Sequence, residues 1–172
     1  MKRIYWILAL GALAALACHY FLRDPWRVEQ ERLGARLSRE ISSATEVEIY
    51  SIDPDRGGGV IGKAGVLPTN DPFGRRTIVG RSLVALPAEI RSLSDSIRDG
   101  LDHASMMGPE CWEPRHALRY RTPSGDTFVV VSFHCAHGFV EQGTALEWFD
   151  IPRSAEAPWD AILRSHALSV AR

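Results

Sequence analysis

Residues 116–135 read HALRYRTPSGDTFVVVSFHC, and this stretch decides the fold. Two runs with alternating side chains surround the tetrapeptide PSGD at 123–126, a composition typical of a tight turn. A short turn joins neighbouring antiparallel strands, because each strand then satisfies backbone hydrogen bonds of the other. The stretch therefore predicts a β-hairpin, and Thr127 to Cys135 is the most strand-like run of the chain.

The turn also predicts which side chains share a face. If it pairs Thr122 with Thr127, the facing residues are Tyr120 with Val129, Leu118 with Val131 and His116 with Phe133. Successive side chains of a strand point to opposite faces, so these six lie on one face of the hairpin. We expect that face to be buried, with Cys135 one step further along it.

Two cysteines flank the hairpin, and three interpretations remain open. A disulfide between Cys111 and Cys135 would close a loop of about 25 residues, worth about 3 kcal/mol of stability. Alternatively, Cys111, His116, Cys135 and His137 form a zinc site, although C-x4-H and C-x-H are not the usual zinc spacings. In the third interpretation one thiol is reactive, with His116 or His134 as its base.

The flanking sequence mixes strand and helix patterns. Strand patterns occupy Thr45–Ile52, Val60–Leu67, Thr77–Leu86 and Ala145–Phe149, and helix patterns occupy Pro25–Ser42, Pro87–Leu101 and Pro158–Leu168. Segregated helices and hairpin-length turns favour an α+β fold with a mainly antiparallel sheet and two or three packed helices. We assign residues 23–44 to a helical stalk or packing helix and residues 45–172 to one domain.

The N-terminus carries a membrane signal. Residues 4–22, IYWILALGALAALACHYFL, would form a helix about as long as the hydrocarbon core of a bilayer is thick. Lys2 and Arg3 precede it, so the positive-inside rule places the rest of the chain outside the cytoplasm. Residues 1–22 are thus a signal or membrane anchor, retained, cleaved after Ala15-Leu16-Ala17, or lipidated at Cys18.

This predicted location outside the cytoplasm limits the chemistry of the domain. We expect it in the periplasm at the inner membrane, or secreted or lipid-anchored, where a Cys111–Cys135 disulfide is the ordinary outcome. We expect no cofactor. Zinc would be the cofactor if the cysteines and histidines formed a metal site instead of a disulfide. Without Lys2 and Arg3, 18 basic residues face 21 acidic ones, which argues against nucleic acid as a partner. Residues 57–64, GGGVIGKA, lack the Ser/Thr of a nucleotide-binding loop.

Two motifs resemble those of a known group. CWEPRHALR at 111–119 and VVSFHC at 130–135 are similar to C-F-x-P-R-H-x-I-R and I-C-F-x-C of small, uncharacterised, lipoprotein-like exported bacterial proteins. WDAILR at 159–164 resembles their terminal helix, so the similarity spans about residues 77–168. It implies export but no established activity. Ser132 replaces the first cysteine of the second motif, which favours a simple disulfide over a C-x-x-C thiol pair.

These observations predict a non-enzymatic envelope protein. A folded domain behind an export segment, with no convincing catalytic set, is typical of a protein-interaction or structural module. Its partners would be the membrane, through residues 4–22, and an unknown protein or envelope component. The alternative is a small metal- or thiol-dependent enzyme that uses the Cys/His cluster. No catalytic residue is assigned.

The disulfide leads to a first prediction. Cys111→Ala and Cys135→Ala should lower the free energy of unfolding equally, and the double variant should lose no more than either one, because each breaks the same bond. Denaturant unfolding measures the losses, and intact mass with and without reductant measures the bond. Additive losses, or two free thiols with stoichiometric zinc, would contradict the pairing.

Overall fold

The computed structural model describes residues 25–57, 76–102 and 113–170 of the chain. This part of the chain contains three α-helices, six strands and a short 3-10 turn. In chain order they are α1 (Pro25–Ser42), β1 (Glu46–Gly57), β2 (Arg76–Leu83), α2 (Pro87–Asp102), β3 (His116–Thr122), β4 (Gly125–Ser132), β5 (His137–Gln142), β6 (Ala145–Asp150), the 3-10 turn (Arg153–Ala155) and α3 (Glu156–Ser165).

The strands form one antiparallel sheet in the order β2-β1-β3-β4-β5-β6. Strands β3 to β6 follow one another as a meander, and β1 pairs with β3 across the insertion of β2 and α2. Consecutive strands joined by short turns are therefore neighbours in the sheet. The predicted α+β class with an antiparallel sheet is confirmed.

Several sequence predictions lie outside the described residues. They include the anchor at 4–22, its cleavage site, the lipidation site Cys18 and the strand at 60–67. No helix in the described part of the chain is both long and apolar enough to cross a membrane.

All three helices pack on one face of the sheet, which we call the helix face. The sheet contributes Val47, Ile49, Leu118, Val129 and Val131, and the helices contribute Leu37, Ile41, Leu93, Ile97, Trp159 and Leu163. Helix α1 belongs to this layer, since Leu37 and Ile41 are fully buried and Ser38 Oγ lies 2.7 Å from Ser94 Oγ of α2. Residues 25–42 thus lie against the domain.

The predicted hairpin forms, but its register differs by two residues. Thr122 pairs with Gly125 and not with Thr127, because Pro123 and Ser124 alone make the turn and Gly125 adopts a φ of 123°. His116 consequently faces Val131 and not Phe133. An even shift keeps each side chain on its predicted face, so the buried face survives the correction.

Strand boundaries bring further corrections. Strand β1 runs to Gly57, five residues beyond its predicted end, with irregular pairing after Ser51 and after Asp53. Strand β4 ends at Ser132, and residues 133–136 turn the chain into β5, which the sequence analysis did not anticipate. Residues beyond Ser132, including Cys135, therefore belong to a turn.

The second face of the sheet combines an apolar cluster with an ionic one. The apolar cluster contains no residue of the three helices and consists of Tyr50, Ile52, Ala117, Val130 and Phe139. Beside it, Arg119 binds Glu48 at 2.6 Å and Asp126 at 2.9 Å. Burial and the hydrogen bond to Glu48 raise the pKa of Tyr50 to about 12. Arg119 thus joins β1, β3 and β4 across the face.

A glycine in β5 gives a test of the sheet packing. A Cβ on Gly138 would lie 2.5 Å from the carbonyl oxygen of Val130 and 2.6 Å from Cζ of Phe149. Since backbone and a buried ring cannot both retreat, Gly138→Ala should lower the free energy of unfolding by about 2–3 kcal/mol. Thr144→Ala, in the exposed β5–β6 turn, is the control. Equal stability of the two variants would contradict the packing.

Candidate functional site

His116 lies at the centre of the helix face. Strand alternation points it at α3, where its Nε2 lies 2.8 Å from Oδ1 of Asp160. The imidazole is fully buried, and the rings of Phe133 and Trp159 meet it edge-on with centroids 5.2 and 6.2 Å away. Its Nδ1 is buried without a hydrogen-bond partner. If the ring donates through Nε2, the unpaired Nδ1 is an acceptor. Burying an unpaired acceptor costs less free energy than burying an unpaired N–H.

Asp160 connects this histidine to the surface. Its other oxygen accepts a 2.6 Å hydrogen bond from Arg164, one turn later on α3. The hydrogen bond from His116 is the largest effect on the pKa of Asp160. Together with the charge of Arg164 it outweighs burial and holds that pKa below its usual range. The pair is therefore a buried imidazole bonded to an ionised carboxylate.

The predicted zinc set does not assemble around His116 and His137. The ladder pairs His116 with Val131 and Val131 with Gly138, whereas His137 pairs with Ser132. Because neighbouring residues alternate, His137 lies on the second face and His116 on the helix face. A different set, His116, Glu156 and Asp160, has one potential ligand atom from each residue within 4.8 Å of the others.

Cys135 is buried in the turn between β4 and β5, with 4% of its surface exposed. Cys111 lies outside the described residues, so its pairing with Cys135 stays a prediction. Ser132 brings the two regions together: its Oγ donates to the carbonyl of Glu113 at 3.0 Å and accepts from the amides of Glu113 and Cys135 at 3.3 Å. A residue two positions from Cys111 is thus tied to the turn that holds Cys135.

A second polar cluster links three elements that are distant in sequence. Ser82 of β2 has its Oγ 2.8 Å from Nδ1 of His166, and Nε2 of His166 lies 3.0 Å from Oε2 of Glu89. Ser165 donates to the other oxygen of Glu89 at 2.8 Å. We call Ser82, His166 and Glu89 the serine relay. The cluster is partly exposed, since 20% of the His166 side chain and 15% of the Glu89 side chain reach solvent.

The chain after α3 fixes the position of His166. The helix ends with Ala167 at φ 55°, and the amides of Ala167 and Leu168 bond back to the carbonyls of Arg164 and Leu163. This is a left-handed C-terminal cap of the kind usually made by glycine. Leu168 then covers Gly80, where a Cβ would lie 2.9 Å from Cδ2 of Leu168. The last described residues therefore lie against β2.

The charge of Glu89 determines which ring nitrogen of His166 carries the hydrogen. Burial acts to raise the pKa of Glu89, but hydrogen bonds from His166 and Ser165 outweigh it and hold the pKa below its usual range. A carboxylate only accepts, so Nε2 of His166 carries the hydrogen. In the neutral ring Nδ1 is then bare and accepts the hydroxyl of Ser82. This arrangement can withdraw a proton from a serine.

Sequence reasoning missed this cluster because Ser82 and Glu89 lie 84 and 77 residues from His166. No local spacing marks such a set. Comparison of the chain with protein families, with curated proteins and with solved structures finds no significant match.

The His116–Asp160 pair predicts a pH-dependent contribution to stability. Asp160→Ala leaves a buried N–H unpaired and should lower the free energy of unfolding by about 1–3 kcal/mol at neutral pH. The folded pKa of Asp160 is depressed, so this contribution is full above the ordinary carboxyl range and disappears as pH falls through the folded value. The difference between the two unfolding free energies should therefore begin to narrow as pH falls below about 4.

Urea unfolding between pH 3 and pH 7 measures this difference. Asp95→Ala is the matched control, since the side chain of Asp95 is 45% exposed and pairs with Arg98 on the surface of α2. It should change stability by less than about 1 kcal/mol at every pH. A loss at Asp160 that stays constant down to pH 3 would contradict the assignment.

Proposed function

We propose that this protein is an extracytoplasmic envelope domain, held at or exported across the membrane by residues 1–22, that acts by binding another protein. The N-terminal sequence supports the location. The observation that supports a binding role is the exposure of the terminal strand β6, which carries apolar side chains at the edge of the sheet.

Four consecutive residues of β6, Ala145 to Trp148, are exposed. Leu146 and Trp148 alternate onto the same side of the strand and are 38% and 36% exposed. Proteins usually protect a sheet edge with charge, proline or a covering element, because an open edge pairs with other chains. Tryptophan is also enriched where proteins bind each other. The composition of this edge suits an interface.

The backbone of β6 can receive a further strand. The amide of Asp150 points away from β5, since it donates to Gln30 of α1 at 3.2 Å. Backbone directions alternate along a strand, so the amides of Leu146 and Trp148 also point away from β5. Gln30 thus covers one end of the edge. We infer that an extended segment of a partner protein pairs with residues 145–148 by strand addition.

The metal-dependent form of the alternative enzyme has less support. It requires His116 and His137 to share a site, and the strand register puts them on opposite faces. Zinc content of the purified full-length protein tests this form, whereas intact mass with and without reductant tests the thiol-dependent form, which requires a free cysteine.

A charge on the edge tests the binding proposal. A photo-crosslinking residue at Thr144 should trap one defined protein in cells that produce the chain, and Leu146→Lys should abolish most of this product. A lysine on an edge strand opposes pairing with another strand. Mass spectrometry identifies the trapped protein. Because Leu146 is exposed, the free energy of unfolding should change by less than about 0.5 kcal/mol.

Val79→Lys, at an exposed apolar position of β2 on the opposite edge of the sheet, is the matched control and should leave the product intact. A product that persists in Leu146→Lys would show that β6 is not the binding edge. A product of twice the chain's own mass would show that β6 pairs with a second copy, which contradicts a separate partner protein.

A further inference from the structure

We propose that Ser82 is the nucleophile of an esterase-type site, with His166 as its general base and Glu89 as a positioning residue. This goes beyond the proposed binding role, because it assigns an acyl-transfer activity to a different edge of the sheet. The observation that carries it is the continuous set of hydrogen bonds from Ser82 Oγ through both nitrogens of His166 to Glu89.

The geometry meets the two requirements for an activated serine. The nucleophile lies within hydrogen-bond reach of its base, at 2.8 Å, and the base is oriented by a third group, at 3.0 Å. Glu89 is itself held by Ser165. The nitrogens are used in the reverse order from that of most serine proteases, since Nδ1 faces the serine here. Proton withdrawal requires a ring nitrogen that carries no hydrogen, and either Nδ1 or Nε2 can be that nitrogen.

The surrounding elements fix the three side chains and favour the charge that proton transfer creates. Glu89 lies in the first turn of α2, and His166 caps the C-terminal end of α3. A helix C-terminus favours positive charge, and so does the adjacent carboxylate. An imidazolium formed at His166 would therefore be stabilised from two sides. Ser51 of β1 also donates a hydrogen bond to the carbonyl of Ser169, which holds the segment just after His166.

Neighbouring side chains indicate the class of substrate. Leu86, three residues before Glu89, is 60% exposed. Val79, on the strand of Ser82, is 44% exposed. Exposed apolar side chains on the strand of Ser82 and just before the helix of Glu89 suit an uncharged ester with an apolar acyl chain. The acyl chain would cover these residues while the carbonyl meets Ser82.

The reaction has two balanced steps. Ser82 Oγ attacks the ester carbonyl while its proton moves to Nδ1 of His166, and the alcohol leaves with that proton as the C–O bond breaks. Water then attacks the acyl-serine, gives a proton to His166, and releases the acid as that proton returns to Ser82. The reactants are the ester and water, and the products are an acid and an alcohol.

Hydrolysis of p-nitrophenyl butyrate by the detergent-solubilised full chain tests the proposal. The wild type should hydrolyse it with saturation, more efficiently than the acetate. A fluorophosphonate should label Ser82, as located by peptide mass spectrometry. Ser82→Ala should lose the label and at least 100-fold in kcat/KM, while Ser124→Ala keeps both.

Glu89→Gln separates positioning from structure. It keeps the size of the side chain but removes the charge that orients His166, so kcat should fall at least tenfold with little change in KM, and labelling should slow in proportion. Ser82→Cys keeps a nucleophile at position 82. If the Ala variant fails to fold, iodoacetamide should label residue 82 of this Cys variant. The two proposals concern opposite edges of the sheet, β2 and β6, so the esterase and binding proposals fail independently.

Any of three results would overturn the assignment. The first is a folded wild type that neither hydrolyses the ester nor accepts the fluorophosphonate. The second is a Ser82→Ala variant that retains full hydrolysis, and the third is a label located on another serine.

Discussion

The docking of α3 through Trp159 determines where both polar clusters form. The indole is fully buried, its Nε1 donates to Ser96 of α2 at 3.0 Å, and its ring meets Phe133 at 5.7 Å between centroids. A buried indole needs a partner for its N–H, so this bond fixes the rotation of α3 as well as its position. Asp160 follows directly and reaches His116. His166 lies seven residues after Trp159, about two helical turns further along the same side, and reaches Ser82.

Close approach of α2 to the chain before α3 makes this docking possible. Gly100 of α2 lies against Ile151 and Ala155, and a Cβ there would be 2.9 Å from Cγ1 of Ile151. A larger residue would push α2 away from the segment that leads into α3. The bond between Ser96 and Trp159 would then lengthen, because both residues belong to the elements that separate. The serine relay depends on the same distance, since Glu89 comes from α2 and His166 from α3.

Local pattern explains why part of the fold could be predicted. Strand alternation placed His116, Leu118 and Tyr120 on one buried face, and this holds in either register because the error was two residues. The register itself depends on whether the turn uses two or four residues, which PSGD does not settle. Strand β5 was missed because HGFVEQ has at its second position a glycine that close packing requires and leads directly into a turn, which leaves little alternation.

The clusters lay beyond sequence reasoning for a different reason. Asp160 and His116 are 44 residues apart, and His166 lies 84 residues from Ser82 and 77 from Glu89. Their contacts depend on the rotation of α3 about its own axis, which a hydrophobic pattern defines only approximately. The ordering of the strands added a second uncertainty, since β2 and α2 intervene between two paired strands.

Stability alone accounts poorly for the serine relay. A hydrogen bond between partly buried groups contributes about 1 kcal/mol net, while burying the ionised Glu89 and ordering His166 oppose it. An apolar pair at positions 89 and 166 would fill this space at lower cost, and elsewhere α2 and α3 contribute apolar side chains such as Leu93 and Leu163 to one core. The chain instead adopts a left-handed φ at Ala167, which a glycine would adopt with less strain. A costly polar arrangement held by a strained cap is typical of a site in which the groups themselves are needed.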